Sequence, residues 1–463
     1  MNPTPRPIDI STNHGAVPIR CFTSEKLLPD RRATDQLMRL AAVRGLANYV
    51  AVLPDVHFKS RNPTPTGTVV VTRDVIVPRA IDAGINCGMS MLATPLEARD
   101  LTAAVLDELF HRLIEAIPLK EHRAPVLAPC ELEQVLAHGA EKLCGPLELE
   151  PEELTRVENG GRTMPELSPD DVLCAVPQNA IRKGACSVGT IGAGNHFLEL
   201  QAVTEILDDR VARLLGLAQG RVIFMLHSDS RRLGKKIMRP LWERLEHASR
   251  EGTLSHELWT LPTDSEFGRR YLCGVAAATH AGFANRAAVA EILRRTLRKV
   301  LGDDSLALRL IYDCGHETIQ RESQNGDSFW VHRHGASRAF PASCFTADPV
   351  LGETGQPVPI PGSMGADSFI AVARPGAAQT FYSVAHGAGR LIDKQHAAAR
   401  FEEAQIEADV RASGVRLYRY GSDNIAGQAP ASFKDAAAVV AAMSAFDLIQ
   451  PVARLRPIAV LKG

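Results

Sequence analysis

Residues 189–203, GTIGAGNHFLELQAV, and the apolar run that follows at 222–227, VIFMLH, set the fold class of this chain. A glycine-rich turn opens directly onto an apolar stretch of strand length, a helical pattern is expected near 203–217, and a second strand-like run ends on His227. Downstream the pattern predicts a helix over about 275–301, a strand LALRLIYD, and a strand- and loop-rich remainder with one helix near 435–446. Upstream it predicts a helix over about 34–46, a strand in ANYVAVLPDVHF that ends in a loop, two short strands around Thr72-Arg73-Asp74, and an amphipathic helix at 101–116. Residues 117–188 are rich in Pro and Glu around a further helix, LEQVLAHGAEKL, and include NGGRTMPELSPDD, which reads as a variable surface excursion. Helices and strands interleave without a regular βαβ period, so the expected class is α+β. Motif residues lie on both sides of the excursion, which favours one unit over 1–463 rather than separable modules.

The bulk numbers exclude several classes. At 463 residues the chain is long enough to bury a large core. With 52 Lys and Arg against 53 Asp and Glu it carries no global basic field, so any nucleic-acid contact must come from a local patch. The cysteines, at 21, 87, 130, 144, 174, 186, 273, 314 and 344, form no CxxC pair, which is the usage of a reducing compartment. No basic and apolar leader opens the chain and no run of about 18 apolar residues occurs, so a soluble, cytoplasmic protein without a membrane partner is expected.

The chemistry sits at element ends. Cys87 in AGINCGMS, His196 in GAGNHFLEL, His227 in VIFMLHSDSRRLG and His316 in YDCGHETIQ combine one thiolate with three imidazoles, flanked by small or polar residues rather than packing residues. A lone histidine of this kind is more often a hydrogen-bonded core residue, and Cys87 alone more often a small hydrophobe. As a set they are donors for Mn, Fe, Co or Zn, and one sulfur can bridge two ions. Asp55 and His57 add a polar pair that suits a ligand, an anion contact or a carboxylate behind a ligand. His386 in VAHGAGRL differs: small residues around it expose backbone N–H groups, Arg390 lies one turn on, and an imidazole nitrogen can attack phosphorus. PGSMGADS, residues 361–368, is a second loop able to approach a nucleotide. Arg231, Arg232, Arg333 and Arg338 offer a local anion path, and Lys462 closes an apolar strand.

GAGNHFLEL, HSDSRRLG, HRHGASRAFP, PGSMG, HGAGR, FKD and ARLRP with the terminal KG, together with PDVH and INCG, resemble the RtcB family of RNA-splicing ligases, in the family's order over roughly residues 50–463. The resemblance implies an α+β fold with mixed or antiparallel sheets around a central metal and nucleotide site. It also implies a GTP- and Mn-dependent reaction that joins an RNA 3'-phosphate or 2',3'-cyclic phosphate to a 5'-hydroxyl, with a helper protein as a further expected partner. By the same resemblance Cys87 bridges two metal ions, His227 and His316 complete one site, His196 serves the other, and His386 takes GMP from GTP. Asn195, Glu199, Ser363 or Ser368, the Gly387-Ala388-Gly389 turn, Phe433 and Lys462 fall in stretches that hold the guanine nucleotide, and Arg231 and Arg390 face phosphate.

The chain departs from the family at a few places. The metal-binding carboxylate expected three residues before Cys87 is Gly84, with Asp82 two residues earlier, and a two-residue shift in extended chain moves a side chain by about 6–7 Å. Asp82 or Asp55 is the expected replacement. FKSRNPTPTG, Glu317, His334, Phe433 and Gln428 also replace family residues. The missing carboxylate keeps a second expectation open, a metal-dependent phosphohydrolase or nucleotide-binding relative that no longer ligates.

Overall fold

The computed structural model describes residues 5–251, 258–324, 326–421 and 425–463. An eight-stranded sheet runs in the order Arg309–Gly315, Gly88–Glu97, Arg221–Ser228, Phe197–Ile206, Ile449–Lys462, Ser368–Ala373, Pro357–Ile360, with Arg416–Arg419 paired in parallel to Ile449–Lys462. Every other pairing in this sheet is antiparallel. A six-stranded sheet runs Ile8–Ile10, Ile19–Cys21, Leu46–His57, Thr66–Thr72, Asp327–His334, Glu317–Gln324. The class is α+β with largely antiparallel sheets, as the sequence reading expects.

Antiparallel order explains why the chemistry gathers. Gly315 pairs with Gly88, Gly88 with Ser228, His227 with Phe197, and Phe197 with Lys462, so five neighbouring strands bring the same end together. Cys87 and His196 immediately precede two of these strands, His227 and Lys462 lie at the ends of two more, and His316 is the single residue between Arg309–Gly315 in the large sheet and Glu317–Gln324 in the small one. The residues are far apart in sequence because alternate strands enter and leave at that end.

Several elements differ from the sequence reading. The first helix is Arg31–Ala41, started by the Asp30 carboxylate accepting from the Ala33 N–H at 2.7 Å rather than at Thr34. The strand that begins at Phe197 continues to Ile206, which leaves only Asp209–Leu215 for the helix expected near 203–217. Arg231–Arg250 is a further helix, one that the sequence pattern does not announce. Leu233, Ile237, Leu241 and Leu245 recur on its buried face, but Pro240 and dense basic residues mask the period. The long helix begins at Glu266 rather than near 275, and Lys394–Arg400 and Glu403–Ala412 are further helices.

Residues 117–188 also feed the core, although most of NGGRTMPELSPDD within them is exposed as expected. Leu132, Val135, Leu136, Leu143, Val172 and Ile181 enter the same apolar core as the long helix. Glu158, just before NGGRTMPELSPDD, is fully buried and accepts from the Gly315 N–H at 3.1 Å and the Gln320 amide at 2.7 Å. A buried carboxylate needs such donors, and here they brace the backbone beside His316.

Candidate active site

Cys87 Sγ lies 3.2 Å from His227 Nε2 and 3.5 Å from His196 Nε2, and His227 Nε2 lies 3.2 Å from His316 Nε2. The ligand atoms of Cys87, His196 and His227 all fall within 4.8 Å of one another, and all four residues are buried. His227 Nδ1 sits 3.1 Å from the Asn195 carbonyl, which can only accept, so the proton is on Nδ1 and the Nε2 lone pair faces the cluster. Burial pushes His227 and His316 well below the ordinary histidine pKa and His196 down to about 3, so all three imidazoles are neutral. Burial, Asp229 and Glu317 push the Cys87 thiol well up, so it surrenders its proton only to a cation. One sulfur and converging neutral nitrogens, with His316 Nδ1 having no hydrogen-bond partner among the described residues, fit a transition-metal centre.

The long helix holds the segments that carry these donors. Arg286 is completely buried and donates to the Asn86 carbonyl at 2.7 Å, the Ser228 carbonyl at 3.2 Å and the Asp313 carboxylate at 2.6 Å. Asn285 accepts from the Gly189 and Thr190 N–H groups and donates to Ser228 Oγ and the Asp229 carbonyl. One Asn-Arg pair therefore ties together the approaches to Cys87, His196 and His227. Its signal in the sequence is a polar dipeptide inside an otherwise apolar helix, AGFANRAAVA.

The His386 ring lies beside this cluster, with its centroid 4.7 Å from that of His316. Asp55 Oδ2 accepts from His386 Nδ1 at 2.7 Å and from the His386 N–H at 3.3 Å. The ring proton is thereby fixed on Nδ1 and Nε2 keeps its lone pair, the arrangement that activates an imidazole nucleophile. Asp55 is itself held by Lys434 of FKD, whose ammonium donates to the carbonyls on either side, Pro54 at 2.8 Å and Val56 at 2.7 Å. Gly389, at φ +73°, lies so close that a Cβ there would stand 2.2 Å from the Asp55 carbonyl oxygen, which only glycine permits. The HGAGR turn is less free than the sequence implied. The His386 N–H goes to Asp55, and the Ala388 N–H goes to the Pro361 carbonyl at 3.0 Å, joining the turn to PGSMG.

Around the two centres lie the other sequence candidates. Arg231, in a left-handed conformation at φ +58°, places Nη1 3.2 Å from His196 Nδ1 and 2.9 Å from Asp229 Oδ1. Glu199 and Lys462 are buried on adjacent strands. Burial pushes the Glu199 carboxyl up, and burial lowers the Lys462 ammonium, which Glu199 only partly offsets. Ser368 Oγ accepts from the Gly362 N–H at 3.0 Å and from Gln201 at 3.2 Å, whereas Ser363 closes a turn through its carbonyl to Ala366. Arg390 donates to the Gly427 carbonyl and to the Gln428 amide oxygen at 2.7 Å, and its guanidinium covers the Phe433 ring at 4.6 Å.

Neither expected replacement for the carboxylate at Gly84 stands with the metal donors. Asp82 is paired with Lys59 Nζ at 2.6 Å, and Asp55 serves His386. Three of the remaining departures, the FKSRNPTPTG stretch, Glu317 and His334, form one connected group. The Asp82 N–H donates to Glu317 Oε2 at 3.0 Å, the Gly335 N–H to Glu317 Oε1 at 3.0 Å, and His334 faces Glu317 across the strand pair. Burial and Asp82 push the Glu317 carboxyl up to about 8, against the opposing pull of Lys59.

Comparison with known proteins agrees with this geometry. The family described as tRNA-splicing ligase RtcB matches residues 36–463. The chain is similar to the tRNA-splicing ligase RtcB of Aeropyrum pernix, 31% identical over 96% of this chain and 93% of that protein. It is 30% identical to that of Thermococcus kodakarensis over 96% of this chain and 95% of the relative. A longer relative from Pyrococcus abyssi is 33% identical over 82% of this chain and 42% of its own length. A match across nearly the whole chain, over residues that fold into one thiol, imidazole and carboxylate centre, shows that the chain belongs to the RtcB tRNA-splicing ligase family.

Proposed function

We propose that this protein is a GTP- and Mn-dependent RNA ligase that joins RNA 3'-phosphate or 2',3'-cyclic phosphate ends to 5'-hydroxyl ends. The observation that carries the reading is His386, fixed by Asp55 with Nε2 available and its ring 4.7 Å from the His316 ring of the metal-donor cluster. Cys87, His227 and His316 would hold one divalent ion and Cys87 and His196 the other. When bound, such ions supply charge neutralisation of phosphate oxygens.

The chain's own groups perform the transfers. His386 Nε2 attacks the α-phosphorus of GTP; the N–P bond forms as the bond to the β-phosphate oxygen breaks, and pyrophosphate leaves. Asp55 keeps the proton on Nδ1 and stabilises the charge that the ring acquires. Where the RNA end is a 2',3'-cyclic phosphate, water first opens it, the 2'-oxygen leaving as a hydroxyl; an oxygen of the RNA 3'-phosphate then attacks the same phosphorus, His386 departs, and the RNA end carries GMP. The 5'-hydroxyl attacks the RNA 3'-phosphorus, loses its proton, and expels GMP. Arg231, Arg390 and Lys462 supply positive charge for the triphosphate and the RNA phosphates, and Asn195, Glu199, Ser363, the Gly387-Ala388-Gly389 turn and Phe433 form the nucleotide's surroundings. The purified protein, given Mn and GTP, is expected to join an RNA strand with a 2',3'-cyclic phosphate to one with a 5'-hydroxyl. Opening of the cyclic phosphate without any joined product would favour the phosphohydrolase alternative. No helix among the described residues is long and apolar enough to cross a membrane, and we place the reaction in the cytoplasm.

A further inference from the structure

Asp229 follows Ser228 at the end of the Arg221–Ser228 strand and is 5% exposed. Its two oxygens have different surroundings. Oδ1 accepts from the Arg231 N–H at 2.7 Å and from Arg231 Nη1 at 2.9 Å. Oδ2 points the other way, into the space beside Gly84: a Cβ built on Gly84 would lie 3.6 Å from Asp229 Oδ2 and 3.8 Å from the Cys87 Cβ. That is the space into which a carboxylate on residue 84 would extend.

We infer that Asp229 supplies, from a different strand, the carboxylate ligand that Gly84 lacks, completing a Cys87, His196 and Asp229 site for the second metal ion. The inference rests on the two-metal reading above. Asp229 lies outside the group of three donors within 4.8 Å of one another, which includes His227. The Asp229 carboxylate therefore has to close on Cys87 and His196 as the ion binds. His196 Nδ1 now faces Arg231, which can only donate, so ligation through Nε2 requires the ring proton to move to Nδ1 and Arg231 to withdraw. Withdrawal frees Arg231 for phosphate at the moment the ion is bound.

The test is metal content and Mn titration, with no ligation assay. The wild-type protein is expected to bind two Mn ions. Asp229→Asn preserves an oxygen for the Arg231 N–H, and so the turn, but is expected to retain one ion and to weaken the other by more than the ~10–100-fold cost of losing an outer partner of a ligand. Gly84→Asp in the Asp229→Asn background should restore the second ion, since a Cβ at 84 meets only ordinary contacts. In the wild-type background the same Gly84→Asp change should not tighten binding, because it sets two carboxylates side by side. Two unweakened ions in Asp229→Asn would overturn the inference and leave Asp229 as a cap for Arg231. Fewer than two ions in the wild-type protein would overturn the two-metal reading itself, and the inference with it.

Discussion

Replacing Asp55 separates the orienting role of this carboxylate from its charge. A hydrogen bond to a charged partner contributes about 1.5–3 kcal/mol and a neutral one about 0.5–1.5, so Asp55→Asn should cost about 1–1.5 kcal/mol of transition-state stabilisation, roughly tenfold in rate. The amide orientation is set by the structure: Oδ2 receives both the ring Nδ1 and the backbone N–H of His386, so the amide oxygen, not its NH2, must face the histidine. The ring proton therefore stays on Nδ1. Asp55→Ala removes both interactions and lets the ring turn, and should cost about 100-fold or more. The assay is the single-turnover rate of GMP transfer from labelled GTP to the protein, with nucleotide affinity measured separately. An alanine variant within about threefold of wild type would refute the pairing as a catalytic device. An asparagine variant slowed by ~10⁴, the loss seen where an amide imposes the wrong tautomer, would refute the orientation argument.

Arg286→Met should lower stability by about 3–5 kcal/mol, because it strands the buried Asp313 carboxylate, and calorimetric melting checks this. Metal binding should fall with it, since the Cys87 and His227 segments lose their common anchor. Gly389→Ala sets a Cβ against the Asp55 carbonyl at a strained φ and should abolish GMP transfer while metal content is retained; an active variant would argue against the close packing of this turn on Asp55. His332 is fully buried, accepting from the Val77 N–H at 2.9 Å, and burial holds its pKa down to about 4. The folded state thus binds fewer protons than the unfolded chain between about pH 6.5 and 4, so this contribution is complete above 6.5 and is lost as pH falls towards 4. His332→Gln should flatten the melting-temperature profile in that window, and an unchanged slope would contradict it.

The donors were legible in the sequence because each stands beside a strand run or a glycine turn, where Cys87, His196, His227 and His316 had no packing role to fill. What brings them together was not legible, since it depends on antiparallel strand order across residues 88–462. Asp229 passed unnoticed for a related reason: in HSDSRRLG an aspartate before serine and arginine reads as a turn residue, and only the fold sets it opposite Gly84. Lys434, and Arg286 apart from its pairing with Asp313, act through backbone carbonyls, which leave no pairing pattern in a sequence. Glu158 shows the reverse error, where polar and proline-rich composition concealed a buried brace.

The most direct test of the central claim is incubation of the protein with GTP and Mn, followed by intact-mass analysis alongside His386→Ala. The account predicts a covalent GMP adduct on the wild-type protein that maps to His386 and is absent from the variant. An adduct that survives in His386→Ala, or no adduct with any of several divalent metals, would contradict it.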